Sequence, residues 1–254
     1  MRNDQMLDVL LTAASAVRSA LDELDDWRQP GSRPGQYLLD VVADAAAVEV
    51  LHGSGLAVLS EESGVTEPRD GIGPGCADLL VVLDPVDGST NASIGLPWYA
   101  TSCCVLDATG PSMAVVVNQA TGVRYEAIRG EGAARDGMPI SCSSCRDPGR
   151  AVVGLTGTPV SPPAWWQFRA LGAAALDLCA VAEGVLDAFL VGAGSSLFGW
   201  DYLGGLLVGL EAGAVAAEAN GRELIVRDAT PRAPIVAASG ELLDALVPRR
   251  GGGG

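Results

Sequence analysis

Four acidic residues stand where predicted elements end: Glu61, Asp84, Asp87 and Asp201. Asp84 and Asp87 close an apolar run, Leu79-Leu80-Val81-Val82-Leu83, and are followed by Gly88, Ser89, Thr90 and Asn91. The run's length and its Leu and Val content predict a buried strand. Pro85 is expected to stop the ladder, because it has no N–H to donate. Gly88 permits an unusual turn, and Ser89, Thr90 and Asn91 are residues that begin helices. Free N–H groups at a helix start attract anions, yet two carboxylates stand beside them. A cation between anion and acids reconciles the two. Four carboxylates in one cleft likewise cannot all stay ionised without cations. Oxygen-only ligands select a hard ion, Mg²⁺ or Mn²⁺ over Zn²⁺. The Val86 carbonyl, between the two Asp, is a further candidate ligand. Any one acid at an element end reads better as a cap or a solvated loop residue. The motif from Asp84 to Thr90, directly after an apolar strand, is what sets this group apart.

The elements that must position these acids follow from periodicity. Asn3 to Asp26 has apolar residues at helical spacing and an acidic outer face. Arg28 to Gly35 is a Pro- and Gly-rich loop, and Tyr37 to Leu51 a second helix carrying Asp40 and Asp44. Leu56 to Leu59 is a short strand delivering Glu61 and Glu62; Val65 to Cys76 is loop. Strands are expected at 98–106, 113–117 and 123–128, then a hairpin with Asp136-Gly137 as its turn. A polar stretch, Ser141 to Arg150, suggests a boundary near 148 between an N-terminal α+β part (1–148) and a C-terminal α/β part (149–248). The second part reads as a strand at 151–155, a helical segment at 164–168, a helix at 173–184 and a strand at 186–191. A helix at 200–212 opening with Asp201, strands at 214–217, 224–226 and 235–238, and a helix at 241–247 complete it. The Gly-rich end, 249–254, reads as a disordered tail.

Composition narrows the function classes. A chain of 254 residues, 48% hydrophobic, can bury a sizeable core. No apolar run approaches the ~18 residues of a membrane span. The N-terminus lacks the pattern of a signal peptide, so a cytoplasmic protein is expected. A net charge of −15 disfavours nucleic acid and anionic membranes as partners. It leaves a small anionic metabolite open, provided metal ions reverse the local field. The six cysteines read as free thiols. Cys142 and Cys145 have the spacing of half a zinc site, but the second half is missing and His52 is the lone histidine. All 16 basic residues are Arg. The absence of Lys removes P-loop NTPases and haloacid-dehalogenase phosphatases, which need one. Asp84 and Asp87 also lack the alternating spacing of a helix-loop-helix calcium site.

At this point the residues match a family. Asp84 to Asn91, the Glu61-Glu62 pair upstream, and Trp200-Asp201 with Glu211-Ala212-Gly213 far downstream resemble the inositol monophosphatase family of Mg²⁺-dependent, lithium-sensitive phosphatases. Gly132-Ala133 and Leu171 to Asp177 look like family segments too, so the likeness covers nearly the whole chain. It implies an alternating α-β-α-β-α sandwich. It implies a first Mg²⁺ on Glu61, Asp84 and the Val86 carbonyl, and a second on Asp84, Asp87 and Asp201. The N–H groups of Gly88 and Ser89 would hold the phosphate. Ser89, bonded to Asp44, would orient the attacking water, with Glu61 as base. Thr90, Ala173 and Gly194 fall at substrate-contact positions, although Thr90 reads equally as a helix cap. A homodimer and a small phosphorylated metabolite as partner are also implied.

The chain departs from the pattern in places. Arg33 is the nearest match to a family Lys, and Val41 stands where the second-helix motif has Thr, which bears on a third metal. Gly194 stands where inositol-preferring members have a Glu that contacts hydroxyls. The segment Gly95 to Ala100 looks like bacterial and archaeal members with broad sugar-phosphate activity, including fructose-1,6-bisphosphatase. Histidinol-phosphatase, adenosine bisphosphate phosphatase or a non-catalytic sugar-phosphate-binding relative are the alternatives. The loops around Arg33, Arg169, Ala173 and 192–198 are expected to choose the alcohol.

Overall fold

The computed structural model describes residues 1–159 and 165–247. Helices α1 (Asn3–Asp22) and α2 (Leu38–Gly53) lie on one face of an eight-stranded sheet. Its strands, in chain order, are β1 (Ala57–Ser60), β2 (Gly64–Thr66), β3 (Leu80–Asp87), β4 (Ala100–Asp107), β5 (Gly110–Asn118), β6 (Arg124–Ile128), β7 (Gly132–Arg135) and β8 (Met138–Pro139). Their spatial order is β2-β1-β3-β4-β5-β6-β7-β8, antiparallel except for the β1–β3 pair. The short helix α3 (Ser89–Ile94) follows β3 directly.

The second sheet contains β9 (Val152–Thr156), β10 (Gln167–Arg169), β11 (Ala188–Val191), β12 (Val215–Glu218) and β13 (Pro234–Ala237), ordered β10-β9-β11-β13-β12. Helices α4 (Ala174–Ala182) and α5 (Gly199–Glu211) contact strands of both sheets, and α6 (Gly240–Leu246) covers the far side of the second. The result is a layered mixed α/β fold, α-β-α-β-α, with six helices among the described residues. Gly205 lets α5 cross α4 closely: a Cβ there would stand 2.6 Å from the Leu178 Cβ and 2.7 Å from the Ala175 carbonyl oxygen.

The layering explains why β3 is apolar without interruption. A strand covered on both faces must be hydrophobic on both, and every residue of β3 is buried. Successive side chains alternate between faces. Val81 and Leu83 pack with α1 and α2 around Leu10, Leu39 and Leu51. Leu80 and Val82 pack between the sheets with Leu178, Phe189 and Leu203. Each half has a core cluster of its own, and between them α4 and α5 share theirs with strands of the first sheet.

The structure corrects several local readings. Residues 167–169 form an edge strand, not a helix, pairing with β9; Ala164 and the tail 249–254 lie outside the described residues. The expected strand 224–226 is irregular, and its Leu224 carbonyl accepts a hydrogen bond from the Tyr202 hydroxyl. Residues 64–66, overlapping the start of the expected loop at Val65, add an edge strand beside β1. Pro85 does not end β3. The strand runs on to Asp87, and only its register slips between Asp84 and Asp87.

Candidate active site

That slip places the acids. Side chains three apart in a regular strand point to opposite faces. A bulge at Pro85, where the ladder needs no N–H, resets the alternation. Val86 joins Val81 and Leu83 on the α1/α2 side. Asp87 turns to the other side, where its Oδ2 accepts the Ala175 N–H near the start of α4 at 2.7 Å. Asp84, in step with Leu80 and Val82, faces the same way. Its Oδ1 accepts the Val86 N–H across the bulge at 3.0 Å.

Gly88 then caps α3 in the left-handed region, φ +87°. It is also sterically confined, since a Cβ would stand 2.9 Å from the Trp98 carbonyl oxygen and 3.0 Å from the Ala173 Cβ. Ala173 is therefore buried behind the turn. Asn91 fixes the far side of α3: its Nδ2 donates to the Trp98 and Leu171 carbonyls, both at 2.7 Å. Thr90 is exposed.

Two further acids arrive by one device. Asp201 sits in the first turn of α5, and its Oδ2 accepts the Phe198 N–H at 2.6 Å. Asp40 sits in the first turn of α2 and accepts the Tyr37 N–H at 2.9 Å. In each helix an acid three residues in bonds back to the cap, the geometry of half a capping box. Glu61 follows the end of β1, and its N–H donates to the Leu83 carbonyl. Ligand oxygens of Glu61, Asp84 and Asp201 come within 4.8 Å of one another. Asp87 stands beside this triad and outside it.

A cleft of about 340 Å³ opens at Glu61, lined among others by Arg33, Gln36, Asp40, Glu62, Ser89, Phe198 and Trp200. The Arg33 guanidinium pairs with Glu62, which also accepts from the Gln36 amide. Phe198 and Trp200 are stacked, centroids 4.9 Å apart.

Two expected contacts are not made. Asp44 does not reach Ser89; it is buried and accepts from the hydroxyls of Ser60 and Ser63. The second-helix acid that stands with Ser89 in the cleft is Asp40, one turn earlier. Both acids lie on the buried face of one helix, and their order in the sequence does not say which turn meets α3. Gly194 is exposed and does not line the cleft. The loop leaving β11 is held against the end of β9, by Gly192 N–H to the Thr156 carbonyl and a bridge between Ala193 and Thr158. Phe198 reaches the cleft instead.

Electrostatics bear on whether a cation belongs here. Burial pushes Asp84 and Asp87 well above the ordinary carboxylate range, reinforced by Glu61 for the first and Asp201 for the second. Glu61 is pushed up to about 8 by burial and then by Asp201. It is open to solvent in the cleft yet crowded by protein and by other acids. Asp201 and Asp40 rise to about 6, chiefly by burial. Such a group of acids is stable only protonated or with cations between them. The donors are all oxygen, so the site fits a hard divalent ion.

The comparisons with known proteins agree with the geometry. Residues 39–250 match the model of the inositol monophosphatase family. The chain belongs to this family. Among its relatives is a fructose-1,6-bisphosphatase/inositol-1-monophosphatase of Archaeoglobus fulgidus, 34% identical over 209 residues, covering 80% of this chain and 79% of that one. A protein of Pasteurella multocida named Nus factor SuhB is 29% identical over 240 residues, covering 85% and 86%. Among solved structures, an extragenic suppressor protein suhB from Bartonella henselae superposes with a TM-score of 0.80 at 24% identity, covering 97% of this chain and 99% of that one. Mycobacterium tuberculosis SuhB gives 0.71 at 26% identity, covering 94% and 92%. The family is phosphatase-type and generally metal-dependent, and the acidic triad is present here. Among the described residues, no helix is long and apolar enough to cross a membrane.

Proposed function

We propose that the chain is a Mg²⁺-dependent phosphomonoesterase that releases phosphate from a small phosphorylated sugar, polyol or related alcohol. The observation that carries this reading is the convergence of Glu61, Asp84 and Asp201 within 4.8 Å beside the turn at Gly88 and Ser89. Glu61, Asp84, the Val86 carbonyl, Asp87 and Asp201 would hold two Mg²⁺, with Mn²⁺ as a substitute. Such ions, when bound, would supply a lowered pKa for a coordinated water and neutralisation of charge on the leaving oxygen. Ser89, held by Asp40, orients the attacking water, and Glu61 takes its proton. The N–H groups of Gly88 and Ser89 hold the phosphate oxygens. The water oxygen bonds to phosphorus as the ester P–O bond breaks, and the alcohol oxygen takes up a proton. By family likeness the protein works as a cytoplasmic homodimer sensitive to millimolar lithium.

A phosphate-release assay with Mg²⁺ tests this. Inositol 1-phosphate, fructose 1,6-bisphosphate, histidinol phosphate and an adenosine bisphosphate form the panel. At least one is expected to release phosphate, and only with the metal; release from none contradicts the reading. That outcome would favour a second reading, suggested by the relative named a Nus factor: a non-catalytic, partner-binding protein. The net charge of −15 then argues for contact through protein rather than RNA.

A further inference from the structure

The cleft has a wall that the acid chemistry leaves unused. Phe198 and Trp200 stack there with ring planes 20° from parallel. Trp200 is buried, whereas Phe198 is 36% exposed, so the outer ring of the stack meets solvent at the cleft. Its place is fixed by the site itself, because the Phe198 N–H is the donor to Asp201 Oδ2. An aromatic ring supported from behind and tied to a candidate metal ligand is a rigid platform, costing little to order on binding.

The rest of the wall limits what the platform can receive. Arg33 is the one basic residue lining the cleft among the described residues, and Glu62 already pairs with it. A second phosphate on a substrate would find no free cation and would face Asp40, Glu61 and Glu62. The Gln36 amide is engaged on both sides: Nε2 on Glu62, and Oε1 on the N–H groups of Ser32 at 3.0 Å and Arg33 at 3.2 Å. Little remains for the several hydroxyls of a polyol. A flat ring stacks on phenylalanine, and a positive charge on such a ring gains from the phenyl face and the acidic wall together.

Resting on the phosphatase reading above, we propose that Phe198 is the specificity-determining residue of this cleft, stacking against a flat, uncharged or cationic ring carried on the alcohol of the ester. Sugar bisphosphates and polyol phosphates are then the poorer substrates.

The test compares two ring-bearing esters, histidinol phosphate and adenosine 5′-monophosphate, with inositol 1-phosphate and fructose 1,6-bisphosphate. The wild-type kcat/KM is expected to favour a ring-bearing ester by about tenfold, the upper end of one aromatic contact. Phe198→Ala lowers that preference about tenfold, mainly through KM, and Phe198→Tyr keeps it. Both variants retain the backbone N–H that Asp201 needs. A preference for the polyol ester in wild type, or one that Phe198→Ala does not change, overturns the proposal. Calorimetric binding of histidinol phosphate with Ca²⁺ in place of Mg²⁺ reads the platform without turnover. Phe198→Ala is expected to weaken it about tenfold, and inorganic phosphate by less. If no ester is hydrolysed, the phosphatase reading fails, while this binding difference still decides the role of Phe198. Equal affinity in wild type and Phe198→Ala overturns it.

Discussion

Two places in this molecule take carboxylates out of water, and they do it in opposite ways. At the end of β12, Glu218 is buried and fully engaged. It accepts from the Arg222 guanidinium and from the N–H groups of Asn220, Arg222 and Ala233. Burial alone would raise its pKa, but these donors outweigh it and hold the group at about 2. At the end of β3, Asp84 is buried as deeply and has one backbone donor, with Glu61, Asp87 and Asp201 as neighbours. It is pushed up instead. A carboxylate supplied with donors is part of the scaffold; a group of carboxylates supplied with one another needs a cation. Asp177 is an intermediate case. It is buried with one donor, the Trp98 indole, and burial lifts it to about 7.

The largest expected effect separates the two places. Asp84→Asn should lower kcat by about a thousandfold or more, roughly 4 kcal/mol of lost charge stabilisation. The metal-free variant should melt no lower than wild type, because an amide does not carry the charge that burial and the neighbouring acids disfavour at this position. Near-wild-type turnover would break the ligand assignment. Next, Asp40→Asn should cost about 10- to 100-fold in kcat, the usual range for a residue acting through a contact group. Asp44→Asn should show its effect in thermal melts rather than in kcat. The reverse ranking would restore Asp44 as the partner of Ser89.

The contrast between Asp40 and Asp44 also shows where sequence reasoning stops. The acids that end β3 are legible because strand, bulge, turn and helix start are contiguous. Asp201 is legible through the Trp-Asp motif. The alternating layers follow from an apolar strand that must be covered on both faces. The helical turn of α2 that meets Ser89 depends on how α2 lies across the sheet, which no local pattern encodes. One signal was available: Asp40, like Asp201, sits three residues past a helix cap, where an acid reaches back. Pro85 misleads because lacking a donor ends a regular ladder but suits a bulge. Gly194 is expected at the substrate only by family likeness, and the loop before Asp201 leaves it exposed outside the cleft. The Phe198–Trp200 stack joins a loop to a helix and has no sequence periodicity.

Smaller effects sharpen the comparison. Glu218→Gln should destabilise the fold by about 1–3 kcal/mol, since the Arg222 and backbone donors lose a charged acceptor. Phosphate release below the melting temperature should stay within about twofold of wild type. The two places should also titrate in opposite senses. In the metal-free protein, Glu61, Asp201 and Asp40 stand at about 8, 6 and 6 against ordinary values of 4.5, 3.8 and 3.8. The folded state therefore binds more protons in that window, and stability rises as pH falls from about 8 toward 4. Glu218 stands at about 2 against 4.5, so its contribution is complete above 4.5 and is lost as pH falls from there toward 2. Thermal melts without metal should pass through a maximum between these limbs, and saturating Mg²⁺ should flatten the neutral one.

The central claim is that the acids at the end of β3 form a divalent cation site. Calorimetric titration with Mg²⁺ or Mn²⁺ at pH 6.5, in two buffers of different ionisation enthalpy, tests it most directly. Saturable binding with net release of protons is expected, because Glu61, pushed up to about 8, is protonated at that pH in the metal-free protein and must be ionised to coordinate. Asp84→Asn should abolish most of the binding. No saturable heat, or saturable binding that releases no protons and survives Asp84→Asn, would contradict it.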